Sequence, residues 1–197
     1  MSPKPILIAI LLAMLPLAPI RSQAQTSSQT VPAPAPTLKS LLLAQLRSTH
    51  NKAEWFVPVN TAVAGLTPEQ ARWIPTSEGG KNNPAPADHS AGMLAYHLLF
   101  WNSEQLAKFK GEKGAPVPAE NTETFNKFDA TNWPATVAKL DAVLTEIEHV
   151  VEGASDAQIA KWAPDIAHIG THNAYHTGQI IYVRKLQGSW DPNKGVK

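Results

Sequence analysis

The chain has 197 residues, 43% apolar and 17% charged, with 17 Lys and Arg against 16 Asp and Glu. This is globular composition without the basic stripe of a nucleic-acid binder. No cysteine is present. That excludes disulfides, thiol nucleophiles, CxxC zinc sites, iron–sulfur clusters and covalently attached haem, and leaves nitrogen and oxygen ligands for any transition metal.

The N-terminus reads as an export signal. A short basic start (Met1–Lys4) precedes an apolar run from Pro5 to Ile20, and Ser22–Gln23–Ala24 offers small residues at the positions a signal peptidase needs. Cleavage is expected after Ala24, giving a periplasmic or secreted protein. An uncleaved anchor is the alternative, but Pro16 and Pro19 interrupt a run already short for a span, so no stable span is expected after cleavage. Residues 25–36 (QTSSQTVPAPAP) read as a semi-extended tether. The folded domain is expected over 37–190, with a tail at 191–197.

Four helical segments follow. The first has Thr37 as N-cap and places Leu38, Leu42, Gln45, Thr49, Ala53, Phe56 and Val63 on one face, with Pro58 expected to kink or break it. Thr67–Pro68–Glu69–Gln70 is a capping box with Pro in the first turn, so a short helical turn follows Gly65. Glu78–Asp88, with two Gly and two Pro, reads as a loop. His89 or Ser90 opens the second helix, whose inner face carries Met93, Leu94, His97 and Trp101, and Gly111–Pro118 ends it. The third begins near Asn132. Its seam is Trp133, Val137, Leu140, Leu144, Ile147 and Val151, with Gly153 as C-cap. A short turn over Ser155–Trp162 precedes Pro164, and the fourth helix is expected from about Asp165 to Gln187 with Ile169, His172, His176, Ile180 and Val183 buried. No segment alternates long enough to need a sheet. The expected fold class is all-α, a four-helix bundle.

The histidines carry the chemistry. His172 and His176 are four apart, so their rings leave one helical face and can meet one ion. A zinc protease would place Glu after the first His; here that position is Asn173. His97 adds a third inward imidazole from another helix, and three His ligands would leave coordination positions open. The alternative is a polar core without metal. His168 reads as a neighbour of the site, His50 and His149 as surface or boundary residues, and His89 as lying near the site mouth. Glu104, seven residues after His97, is the candidate proton acceptor, with a solvated carboxylate as the alternative. Gly178 is expected to allow close helix packing. Gln179 is placed near His176, and Trp101, Asn102 and Tyr175 at the pocket wall. Trp73, Trp162 and Trp190 are placed as covers over the core ends.

On these residues the chain resembles the DinB/YfiT-like superfamily. The matching stretches are Gly65–Trp73, Ser90 with Leu94–Leu98, and His172–Ile180 followed by Arg184. The resemblance implies a four-helix bundle with a longer connection between its second and third helices. It implies a divalent ion such as zinc, nickel or iron on His97, His172 and His176. Characterised members include thiol-dependent transferases and isomerases and some hydrolases. Export separates this chain from cytoplasmic thiols, so the reading is a metal-dependent hydrolase or transferase acting on an unknown small molecule. A non-catalytic metal-binding or stress-associated bundle is the alternative, and a homodimer is compatible with either.

Overall fold

The computed structural model describes residues 35–75 and 89–196. The expected export segment, most of the tether and the 78–88 loop lie outside the described residues. Seven α-helices follow in order: α1 (Leu38–His50), α2 (Val59–Val63), α3 (Pro68–Arg72), α4 (Ala91–Lys110), α5 (Glu123–Asn126), α6 (Trp133–Gly153) and α7 (Asp156–Gln187). No strand occurs among the described residues. The long helices α1, α4, α6 and α7 form the bundle, with α1 and α4 each packed on both α6 and α7. Among the described residues, no helix is long and apolar enough to cross a membrane.

Side-chain caps set the helix starts. Thr37 accepts from the Ser40 N–H, Ser90 from Met93, and Ser155 from Gln158. The Thr67 capping box forms with Pro68 in its first turn. Gly111 closes α4 at φ 69°, a left-handed conformation that favours glycine.

Three boundaries differ from the sequence reading. The first helix ends at His50, not near Pro58. The N–H groups of Asn51 and Lys52 both return to the Arg47 carbonyl, Ala53 and Phe56 are exposed, and Pro58 becomes the N-cap of α2. The Ser155–Trp162 turn and the last helix are one continuous α7 of 32 residues that runs through Pro164. An interior proline costs about 3 kcal/mol. Burial on both sides offsets it: Ile159 and Ile166 are 2% and 0% exposed, and Trp162 packs on Phe109 with ring centroids 4.9 Å apart. Gly153 is not a left-handed cap; it is the last residue of α6, and extended Ala154 ends the helix.

The apolar core forms two clusters. One joins Leu94, Leu98, Leu140, Leu144, Ile180 and Val183; the other joins Leu42, Leu46, Phe109, Ile147, Ile159 and Ile166. On α4 the chain passes from one to the other at Asn102, and on α7 at Asn173, His176 and Thr177, all buried. Asn102 Nδ2 donates to Asn173 Oδ1 at 2.9 Å and to the Leu98 carbonyl at 2.8 Å, tying the two helices within this polar layer. At the end of α7 the Arg184 guanidinium donates to the carbonyls of Ala62, Ala64 and Ser189 and lies over Trp190, fixing α2 and the chain end against the bundle.

His50, expected at a surface or boundary position, is 1% exposed. Its Nδ1 lies 2.7 Å from Glu148 Oε1 and its Nε2 2.9 Å from Asp141 Oδ1, while Arg47 faces the other Glu148 oxygen at 3.5 Å and Asn60 donates to Asp141. Burial alone would lower the His50 pKa. The hydrogen bonds and charges of Glu148 and Asp141 more than reverse this, and the net shift is upward. A pKa raised by folding stabilises fully below the unfolded value of about 6.5, and the contribution is lost as the pH rises through the folded-state value. In urea unfolding, His50→Gln is therefore expected to cost about 3 kcal/mol at pH 5.5, with the gap to wild type narrowing as the pH is raised. A gap that stays constant or widens would refute the upward shift of the His50 pKa.

Candidate metal centre

His97 is the seventh residue of α4, and the Ser90 cap sets the phase that turns it inward between buried Leu94 and Leu98. His172 and His176 leave α7 one turn apart toward the same point. One ring nitrogen from each of the three lies within 4.8 Å of the others. His97 Nε2 and His172 Nε2 are 3.1 Å apart, and the ring centroids of His97 and His176 are 4.7 Å apart. Around a tetrahedral ion with bonds of about 2.0–2.1 Å, ligand nitrogens sit about 3.3 Å from one another. The cluster needs only side-chain adjustment to reach that spacing.

Two of the three outward nitrogens are engaged. His97 Nδ1 lies 2.6 Å from Thr124 Oγ1 of α5, and the Phe125 ring stacks on His97 at 3.8 Å with an interplanar angle of 8°. His176 Nδ1 lies 2.7 Å from Gln179 Oε1, whose amide Nε2 donates to the Tyr175 hydroxyl at 3.3 Å. Desolvation by burial pushes the His97 pKa down to about 3, and the neighbouring His176, His172 and His89 push in the same direction. Burial and then His176 bring His172 to about 4. Burial also lowers His176, against the opposing hydrogen bond that its Nδ1 makes to Gln179 Oε1. All three rings are neutral at pH 7, the form that binds metal. Nitrogen donors, a shared target point and neutral charge together fit a divalent ion.

Two clefts reach the cluster. A cavity of about 310 Å³ between α4 and α7 is lined by His97, Trp101, Asn102, Gln105, His168 and His172, among others. A second, of about 560 Å³, is walled by His89, Phe125, Tyr175, His176 and Gln179 together with the α5 segment. No Lys or Arg lines either one among the described residues. The expected pocket residues Trp101, Asn102 and Tyr175 thus do face clefts, and His89 lies at one of them with its ring 4.0 Å from Phe125. His168 lines the first cleft, exposed, and stands outside the three-nitrogen group. His149 is exposed beside Glu146.

Glu104, the candidate proton acceptor, lies toward the loop that follows α4. Its Oε1 accepts from the Ala115 N–H at 2.8 Å and its carboxylate packs on Gly114. It lines neither cleft. Gly178 does not serve close packing: a Cβ there would meet nothing within 4 Å. Close approaches occur at Gly92, where a Cβ would strike the Phe128 ring and come 2.8 Å from the Ala71 carbonyl, and on α7 at Gly170, where it would come 2.7 Å from the Gln45 side chain. Thr124 and Phe125 went unnoticed in the sequence. They sit in the long α4–α6 connection, with no periodicity relating them to His97. The N-cap of the four-residue α5 is Thr122, and Thr124 inside the helix carries no local sequence signal.

A family model described as DinB superfamily matches residues 59–180. Comparison with curated proteins and with solved structures gives no match.

Three independent imidazoles of pKa about 6.5 would lose about 10³-fold in zinc affinity between pH 7 and pH 5.5. With His97 held at about 3, His172 at about 4 and His176 below its ordinary value, zinc binding measured by isothermal titration is expected to weaken by less than about tenfold over that range. A loss approaching 10³-fold would contradict the desolvated geometry.

Proposed function

The chain belongs to the DinB superfamily, and we propose that it is an exported protein that holds one divalent metal ion, zinc, nickel or iron, on His97, His172 and His176. The observation that carries this reading is the convergence of three neutral imidazole nitrogens from two helices within 4.8 Å. Such burial is costly for polar groups without a shared partner. Three protein ligands leave coordination positions open to the clefts, as catalytic rather than structural metal sites do.

When bound, the ion supplies Lewis acidity for a hydrolytic or group-transfer reaction. The chain's own residues do the rest. Thr124 and Gln179 hold the outward nitrogens of His97 and His176. Asn102 and Asn173 lock α4 to α7 beside the cluster. Trp101 and Gln105 shape the cleft that receives the small-molecule substrate. The cleft walls lack Lys and Arg among the described residues, so the ion is the principal positive charge a substrate meets. A metal-binding role without turnover is the second reading, favoured by one fact: the Glu104 carboxylate is engaged by the Ala115 amide.

Titration of zinc and nickel into wild type and five variants tests the site. His97→Ala, His172→Ala and His176→Ala are each expected to weaken binding at least about 100-fold. His168→Ala and His149→Ala should keep a stoichiometry near one, and circular dichroism should show a helical fold throughout. Wild-type affinity in His97→Ala, with loss in His168→Ala, would remove α4 from the site. Metal-dependent turnover of ester and amide substrates then separates enzyme from binder.

A further inference from the structure

A threonine hydroxyl carries one proton and can accept as well as donate. Thr124 Oγ1 lies 2.6 Å from the Asn121 carbonyl oxygen, which can only accept. The hydroxyl proton is therefore committed to Asn121, and the 2.6 Å contact with His97 Nδ1 must be a bond that the imidazole donates. His97 then carries its hydrogen on Nδ1 and its lone pair on Nε2. Gln179 imposes the same order on His176: its Nε2 donates to Tyr175, so its Oε1 accepts the Nδ1–H of His176.

His172 is different. Its Nε2 lies 3.1 Å from His97 Nε2. Two lone pairs facing each other at that distance would repel, and His97 has no hydrogen there to offer. In the metal-free chain the hydrogen must sit on His172 Nε2, donated to His97. A metal ion would displace it, and the neutral ring could keep its hydrogen only on Nδ1.

We propose that Thr124 is the positioning residue of the centre: by accepting the His97 Nδ1–H it fixes Nε2 as the ligand atom, leaving His172 as the one ring that changes tautomer when metal enters. This rests on the metal-binding reading above. Thr124 acts with its neighbour, since Phe125 fixes the plane of the same ring by stacking. Both are buried, at 1% and 7% exposure, so water does not compete for the Nδ1–H. The connection between α4 and α6 thereby becomes part of the site rather than a covering over it.

Long-range proton–nitrogen correlation spectra of histidine-labelled protein, recorded with and without zinc, read the tautomers directly. In wild type, His97 and His176 are expected as Nδ1–H in both states, and His172 as Nε2–H without zinc and Nδ1–H with it. Thr124→Val should leave His97 in mixed tautomers and weaken zinc binding about tenfold, the scale of lost support to a ligand. Thr124→Ser keeps the hydroxyl and should restore the wild-type pattern and affinity. An Nε2-protonated His97 in metal-free wild type overturns the proposal, even if Thr124→Val folds poorly. So does a Thr124→Val protein with wild-type tautomers and affinity. Wild type that binds no zinc at all would instead overturn the metal-binding reading itself.

Discussion

Three imidazoles packed against one another inside an apolar bundle, His97 and His176 buried and His172 half-buried, must find partners for their ring nitrogens, and the surrounding structure answers most of that requirement. A buried polar group left without a partner costs about 1–3 kcal/mol, a large share of the net stability of a domain. Two of the outward nitrogens are satisfied by Thr124 and Gln179. The inward ones face each other and no side chain of opposite charge. The three rings stay neutral because desolvation disfavours the charged form of each, and a positive charge on any ring would disfavour charge on its neighbours. That leaves the inward lone pairs of His97 and His176 beside the His172 Nε2–H, which His97 accepts.

The bundle is arranged around this layer. The apolar core divides where α4 and α7 carry Asn102, Asn173, His176 and Thr177, and the Asn102–Asn173 bond fixes the register of the two helices that supply the ligands. Across the bundle, His50 meets the opposite solution to the same problem. It lies between Glu148 and Asp141, so its burial is offset by two carboxylates and its pKa moves up while those of the metal-facing rings move down. Imidazoles in one core are thus tuned in opposite directions by their immediate neighbours.

Much of this was legible in the sequence where local chemistry decides. The Thr67 capping box, the Ser90 helix start, the α6 seam from Trp133 to Val151 and the His172–His176 pair all follow from short-range spacing, whereas His97, 75 residues from His172, joined them through its inward face on another helix and the family resemblance. What was not legible depends on contacts between distant segments. Pro164 passes inside α7 because Ile159, Ile166 and Trp162 bury both flanks. His50 is drawn in by carboxylates 91 and 98 residues away. Thr124 reaches His97 across 27 residues of chain. Gly178 read as a packing glycine because mid-helix glycine is costly, yet it faces open space, and no contact in the structure explains it.

The central claim is that His97, His172 and His176 form one metal centre. It is tested most directly by X-ray absorption on zinc-loaded protein purified without a histidine tag, with the metal content measured on the same sample. The expected result is about one ion per chain, with about three nitrogens at about 2.0–2.1 Å that show the outer-ring scattering of imidazole, and the remaining positions filled by oxygen donors. Substoichiometric metal, or a first shell with at most one imidazole, would contradict it.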